Sequence, residues 1–276
     1  MKITCLVDNC ALDGFSAEHG LSLWIEAAGH KLLFDTGETD AFLRNAERLG
    51  IDISEAEACV LSHGHHDHGG GLAAFLAANS TAPVYVHAGA FDKRYSNKPG
   101  EGKKYIGIDP ALEREPRVVI TGAVCEPLEG FTLFSDVMGN ELHSSANDVL
   151  MGPDGVTPDE FRHEQNLLVR EGDVRVLIAG CAHRGIVNII NRLFNIDPTP
   201  PTAVIGGFHL AIPGTSDVDE ALVDGTAERL LAIPGTTYYT GHCTGLPSYN
   251  RLRQTMGDRI HYLPAGRAQA VPGDDA

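Results

Sequence analysis

The chain has no C-x-x-C pair, no long apolar run and a shortage of basic residues, and each lack closes off a class of protein. Its six cysteines (Cys5, Cys10, Cys59, Cys125, Cys181 and Cys243) are too sparse over 276 residues for a disulfide scaffold. Free thiols in a reducing compartment are the expectation. No segment approaches the roughly 18–20 consecutive apolar residues that span a bilayer. The opening MKITCLVDNC meets Asp8 before a signal-type apolar stretch develops, so a cytoplasmic location is expected. With 21 Lys and Arg against 37 Asp and Glu, the formal charge is −16. That sign repels nucleic-acid backbones and anionic membrane surfaces, leaving a small molecule as the expected partner. A hydrophobic fraction of 43% excludes a disordered chain.

What is present is a rhythm of short apolar strands, glycine- or histidine-bearing loops and amphipathic helices. Strands are predicted at 2–7, 58–62, 84–87, 203–206, 236–240 and 259–263, with hairpins over 21–35 and 166–179. Helices are predicted near 39–49, 72–79, 185–195, 217–232 and 247–256. From 90 to 150 the pattern loosens, with strand-like runs only at 117–121 and 131–134, and reads as an insertion or lid. Two halves of strands followed by helices imply one α/β domain over 1–276, its two mixed sheets covered by helices on the outer faces.

Thirteen histidines are present, and they cluster. Directly after the apolar run 58–62 comes SHGHHDHGGG, in which His63, His65, Asp67 and His68 spell H-x-H-x-D-H. A buried strand delivers this loop, and the three glycines after it let backbone crowd a site. His63 and His65 can grip one cation, and Asp67 and His68 a second. Imidazole with carboxylate suits zinc, iron or manganese rather than calcium. Such ions acidify bound water to a pKa of about 7, making hydroxide available at neutral pH. Three further strand ends repeat one grammar of apolar strand, glycine and soft ligand: Cys181 and His183, His209, and His242. Ligands at the carboxyl ends of neighbouring strands converge on one crevice.

These motifs resemble the metallo-β-lactamase superfamily, and the resemblance covers essentially the whole chain. It implies an αββα sandwich with one or two divalent ions, most simply zinc, at one edge. FDTG at 34–37 resembles the family's early strand motif, with Asp35 supporting a metal-binding histidine. His242 in TGHCTG resembles its last metal-binding histidine, and Cys181 stands where the family has an aspartate bridging both metals. The third motif, G-H-[ST]-x-G, is missing; the nearest histidine is His163. AEHGLS, GCAHRGIVN, GGFHL and YTGHCTG resemble one subgroup, labelled 7,8-dihydropterin-6-methyl-4-(β-D-ribofuranosyl)aminobenzene 5′-phosphate synthase-like. That likeness makes Glu18 and His19 candidate site-lining residues.

The expected activity is metal-dependent hydrolysis or related group transfer. Asp67 would be ligand and proton acceptor, and His209 or His183 would stabilise an anion or donate a proton. Residues 92–105 carry Lys93, Arg94, Lys98, Lys103 and Lys104 against Asp92 and Glu101, a local charge of +3 in an acidic protein. A lid there, with Lys103 and Lys104 as contacts, would recruit an anionic or phosphorylated substrate. The other readings are a catalytically altered metal-binding protein and a di-iron redox protein on the same fold. A homodimer, the metal's identity and the substrate are left open by the sequence.

Overall fold

The computed structural model describes residues 1–98 and 100–271, so Pro99 of the expected lid and residues 272–276 lie outside it. Two seven-stranded sheets form the centre. The first runs, edge to edge, Ala268–Ala270, Lys2–Val7, Ser22–Ala27, His30–Phe34, Ala58–Leu61, Val84–His87 and Val118–Thr121. The second runs Ile260–Tyr262, Thr237–Thr240, Ala203–Gly206, Val174–Ile178, Asn166–Glu171, Phe131–Phe134 and Val124–Leu128. Each sheet changes from antiparallel to parallel pairing partway across.

Strand alternation explains the layers. Successive side chains point to opposite faces. Leu23, Ile25, Phe131, Leu167, Val169, Val176, Ile178 and Ile205 therefore meet in a buried layer between the sheets. Trp24, Leu33, Cys59 and Leu61 point outward and are covered by the helices Ala41–Leu49 and Leu72–Ala78, through Phe42, Ala46, Leu72 and Phe75. On the other side Leu168, Leu177 and Val204 pack under the helices Ile186–Phe194, Glu220–Leu231 and Leu246–Met256. The result is the expected αββα sandwich of mixed sheets. Its helices end as the sequence requires. Gly50, at φ 69°, caps the first in a left-handed conformation, and Asp219 accepts the Leu222 N–H at the start of Glu220–Leu231.

The loosely patterned segment divides into parts with different work. Residues 118–128 supply one edge strand of each main sheet, and Phe131–Phe134 is the strand next to the second of these edges. Tyr95–Lys98 and Gly102–Tyr105 form a hairpin, extended by Leu150–Met151 into a small three-stranded sheet. Its cross-strand pair Tyr95–Tyr105 packs edge to face. The Ile106 carbonyl accepts the His66 N–H at 2.8 Å, so this sheet is tied to the histidine loop. Arg94, counted above among the lid's cations, is instead buried against Asp159 at 2.8 Å. A strand at Ala268–Ala270 and the short helix His66–Gly69 are additional to the sequence reading. No helix among the described residues is long and apolar enough to cross a membrane.

Candidate metal centre

The parallel strands of both sheets end at one edge of the sandwich. Ala58–Leu61 delivers His63, His65, Asp67 and His68, and Val174–Ile178 delivers Cys181 and His183. Ala203–Gly206 delivers His209, and Thr237–Thr240 delivers His242 and Cys243. Parallel register holds the second set side by side, with Ile178 beside Ile205 and Gly206 beside Thr240. The last strand residues Leu61, Ile178, Gly206 and Thr240 are buried, and the candidate ligands follow where the strands stop.

Two ligand groups result. In one, His63 Nε2 lies 3.1 Å from His65 Nδ1 and 3.3 Å from His183 Nε2. In the other, His242 Nε2 lies 3.2 Å from His68 Nε2 and 3.3 Å from Asp67 Oδ2. Cys181 Sγ is 3.1 Å from His68 Nε2 and falls within 4.8 Å of the ligand atoms of both Asp67–His68–His242 and His63–His183. The cysteine therefore stands between the groups, where a bridging ligand belongs.

The rings' outer nitrogens show which way each imidazole faces. Asp35 accepts from His68 Nδ1 at 2.7 Å, Asn147 Oδ1 from His183 Nδ1 at 3.0 Å, and Asn9 Oδ1 from His242 Nδ1 at 2.9 Å. Ser62 Oγ donates to Asp35 at 2.7 Å, which leaves its lone pairs for His63 Nδ1 at 2.8 Å. With the outer N–H groups so occupied, the inner Nε2 atoms of His63, His68 and His183 are acceptors, and acceptors as close as those of His63 and His183 repel one another. A cation relieves that repulsion. Tetrahedral zinc–nitrogen bonds of about 2.0–2.1 Å place ligand atoms about 3.3–3.4 Å apart, close to the separations found here. The residues fit a divalent metal.

Backbone and charge carry the same signature. Asp35, Ala182, His209 and His242 are non-glycine residues with φ of 59°, 56°, 49° and 46°. Such left-handed residues cluster where surrounding structure holds a working geometry. Burial pushes His65 down to about 3 and keeps His63 and His183 neutral, the form that ligates. Burial would also lower His242, but Cys243, Asp67 and Asp8 around it lift it to about 9. Asp8 fixes that residue further, accepting the His242 N–H at 2.5 Å while holding the Tyr262 hydroxyl at 2.9 Å.

The centre opens into a cleft of about 350 Å³. His19 lines it, with Nε2 3.3 Å from Asp67 Oδ2, and so do His209 and Lys104. His209 has both ring nitrogens enclosed and without a hydrogen-bond partner among the described residues. Two expected substrate contacts are corrected. Glu18 is turned away, its carboxylate holding the Glu38 and Thr39 N–H groups and the Thr39 hydroxyl. Lys103 lies over the Tyr95 ring, outside the cleft, and Lys98 takes the rim position with Lys104. His163 does not complete the missing motif: its Nδ1 accepts the Gly64 N–H and its Nε2 faces Asp159 at 3.1 Å. His183 occupies that place beside His63 and His65, with its Nε2 3.3 Å from His63 Nε2. Asn9, Asn147 and Cys243 were not legible as site residues; only the adjacency of Cys243 to His242 offered a signal.

A two-sheet sandwich with a histidine, aspartate and cysteine centre at its strand ends defines a metal-dependent hydrolase fold. The chain belongs to the metallo-beta-lactamase superfamily, which it matches over residues 16–242. Among solved structures it is similar to Tm1679, a metal-dependent hydrolase of the beta-lactamase superfamily, at 29% identity and a TM-score of 0.79, covering 99% of this chain and 100% of that one. Two proteins of Methanocaldococcus jannaschii are also similar. One is the uncharacterized protein MJ0448, 28% identical over 91% of this chain and 94% of its own. The other is a 7,8-dihydropterin-6-methyl-4-(beta-D-ribofuranosyl)-aminobenzene-5'-phosphate synthase, 27% identical over 92% of this chain and 90% of its own.

Proposed function

We propose that this chain is a metal-dependent hydrolase, or a related group-transfer enzyme, acting on a small anionic substrate with an apolar or aromatic body. The observation that carries this reading is the cleft over the two ligand groups: Lys98 and Lys104 stand on its rim, and Ile106, Val149, Leu150 and Pro213 form apolar wall. In a protein of charge −16, Lys98 and Lys104 at this cleft, the second of them paired with Glu101 in the same lining, favour an anion. The phosphate and aromatic rings in the name of the similar synthase have the same two-part character.

A bound divalent ion, zinc by the character of this ligand set, supplies Lewis acidity and a water acidified toward neutral pH. The chain's residues hold and serve that chemistry. His63, His65 and His183 form one ligand face, and Asp67, His68 and His242 the other, with Cys181 between them. Asp67 accepts a proton at Oδ2, and His19, 3.3 Å from that oxygen and exposed to the cleft, passes it outward. Lys98 and Lys104 orient the anionic end of the substrate, and the apolar wall excludes water from its body.

The test is metal analysis followed by a substrate panel of phosphodiesters, lactones, thioesters and pterin phosphates. Two or more equivalents of zinc and turnover of an anionic member are expected. A metal-loaded protein inactive on the whole panel would overturn the enzyme reading in favour of a metal-binding protein. Stoichiometric iron with visible absorption and reversible reduction would replace hydrolysis with redox chemistry.

A further inference from the structure

One cluster at the same edge reaches beyond the two ligand groups and shares only Cys181 with them. The thiol of Cys243, the ring of His209 and the thiol of Cys181 bring one ligand atom each to within 4.8 Å of one another. All three residues line the cleft. We infer that Cys181, Cys243 and His209 form a third, thiolate-rich site for one soft divalent ion of the zinc class, built on strand ends of the second sheet alone.

Three features of the cluster support a site made to hold something. His209 has neither ring nitrogen hydrogen-bonded among the described residues, though both are enclosed, and an enclosed imidazole without a partner is costly unless a ligand completes it. Its backbone, at φ 49°, is held in a left-handed conformation that turns the side chain back toward the two cysteines. Gly207 leaves the space that Cys243 fills: a β-carbon there would lie 2.4 Å from the Cys243 sulfur. That thiol has otherwise only a weak contact to the Cys181 carbonyl, at 3.5 Å. Two sulfurs and one imidazole make a softer donor set than the imidazole and carboxylate groups beside it, and such a set selects zinc or iron over magnesium or manganese. Three protein ligands facing a cleft leave a further position for substrate or solvent, the arrangement of catalytic rather than structural zinc. Cys181 is the shared corner, since a thiolate sulfur has lone pairs enough to serve more than one ion. The inference rests on the proposed metal-dependent reading only through that shared residue.

The test uses the full chain, stripped by chelator under reducing conditions and titrated with Co(II), with total metal measured by elemental analysis. Thiolate-to-cobalt charge-transfer absorption reports sulfur ligation directly, whatever the activity. The wild-type protein is expected to bind one equivalent more than Cys243→Ser, and the charge-transfer band is expected to fall by roughly half when one of two thiolates is removed. His209→Asn keeps both thiols and suits a left-handed backbone, so it keeps the question answerable should Cys243→Ser fold poorly; it too is expected to lose one equivalent. The double variant His63→Ala, His65→Ala is expected to retain the charge-transfer band. Cys243→Ser and His209→Asn proteins that both keep the wild-type metal count and spectrum would overturn the third site while leaving the main centre standing. A Cys181–Cys243 disulfide in the metal-loaded, reduced protein would also overturn it. A wild-type chain that binds no metal at all would overturn the third site together with the proposed function.

Discussion

The two halves of the sandwich supply their candidate ligands in opposite ways. The first sheet delivers four, His63, His65, Asp67 and His68, on one loop six residues long. The second spreads Cys181, His183, His209, His242 and Cys243 over three strand ends, more than sixty positions from first to last. On the loop side, geometry is set locally. The short helix His66–Gly69 turns Asp67 and His68, and Gly64 passes so close to the Ala90 carbonyl that a β-carbon would sit 2.1 Å away. The loop is then pinned from outside by a chain running Gly64, His163, Asp159 and Arg94. On the strand side nothing local suffices; sheet register does the aligning. A compact motif is thus vulnerable at its anchors, and a dispersed one at its shared residues.

The largest expected effect comes from the residue that belongs to both. Cys181→Ala should lower metal occupancy of both groups and reduce activity by more than the roughly 100-fold typical for loss of an outer partner. Elemental analysis that shows only one group emptied would place Cys181 on one side and dissolve the shared-corner view. Next, Asp159→Asn tests the loop's anchor. It leaves Arg94 buried without its charge partner, a loss of about 3–5 kcal/mol by urea unfolding at neutral pH. Against the upward push of burial, His163 and Arg94 hold the Asp159 carboxyl below the usual carboxylate range. A group depressed in the fold contributes above its ordinary value and loses that contribution as pH falls through it. The two proteins should therefore converge in stability in acid, and a gap that persists there would mean packing, not charge, anchors the loop.

Smaller effects compare the halves directly. Asn147→Ala frees the ring of His183, and Asn9→Ala that of His242. Each should weaken one ligand group by about 10–100-fold and spare the other, read by competition with a chelator. Equal weakening of both groups by either change would show that the two are one cooperative unit. The smallest effect is expected at the rim: Lys98→Glu with Lys104→Glu should raise KM several-fold for anionic substrates and leave kcat unchanged. An unchanged KM would remove the rim from substrate recognition.

How much of this was legible follows from the same contrast. H-x-H-x-D-H is contiguous, so its character as a candidate ligand loop is written in spacing alone. The strand-end grammar exposed Cys181, His183, His209 and His242, because a polar residue after an apolar run and a glycine marks where a parallel strand leaves the sheet. What stayed hidden depends on distant pairing. Asn9 meets His242 across 233 positions and Asn147 meets His183 across 36, and neither asparagine has a local pattern. Glu18 was misplaced because a motif says nothing about which way a carboxylate turns; here it closes the loop at Glu38 and Thr39. Of the two edge strands, Val118–Thr121 falls on the strand-like run read at 117–121, whereas Val124–Leu128 was not read as a strand, for a related reason. Their alternation is weak, with Val119, Ile120 and Val124 exposed, as edge positions allow.

Ala182 has no functional group, yet it sits between Cys181 and His183 with a left-handed backbone. Its φ of 56° sets the angle at which the sulfur and the imidazole are presented to the two ligand groups. A glycine at this position would relieve the strain and make the chain locally more stable, while letting the two ligands swing independently. Stability and aim are therefore opposed at one methyl group. Engineering toward a sturdier protein meets that trade at position 182 without changing any side chain of the candidate ligands.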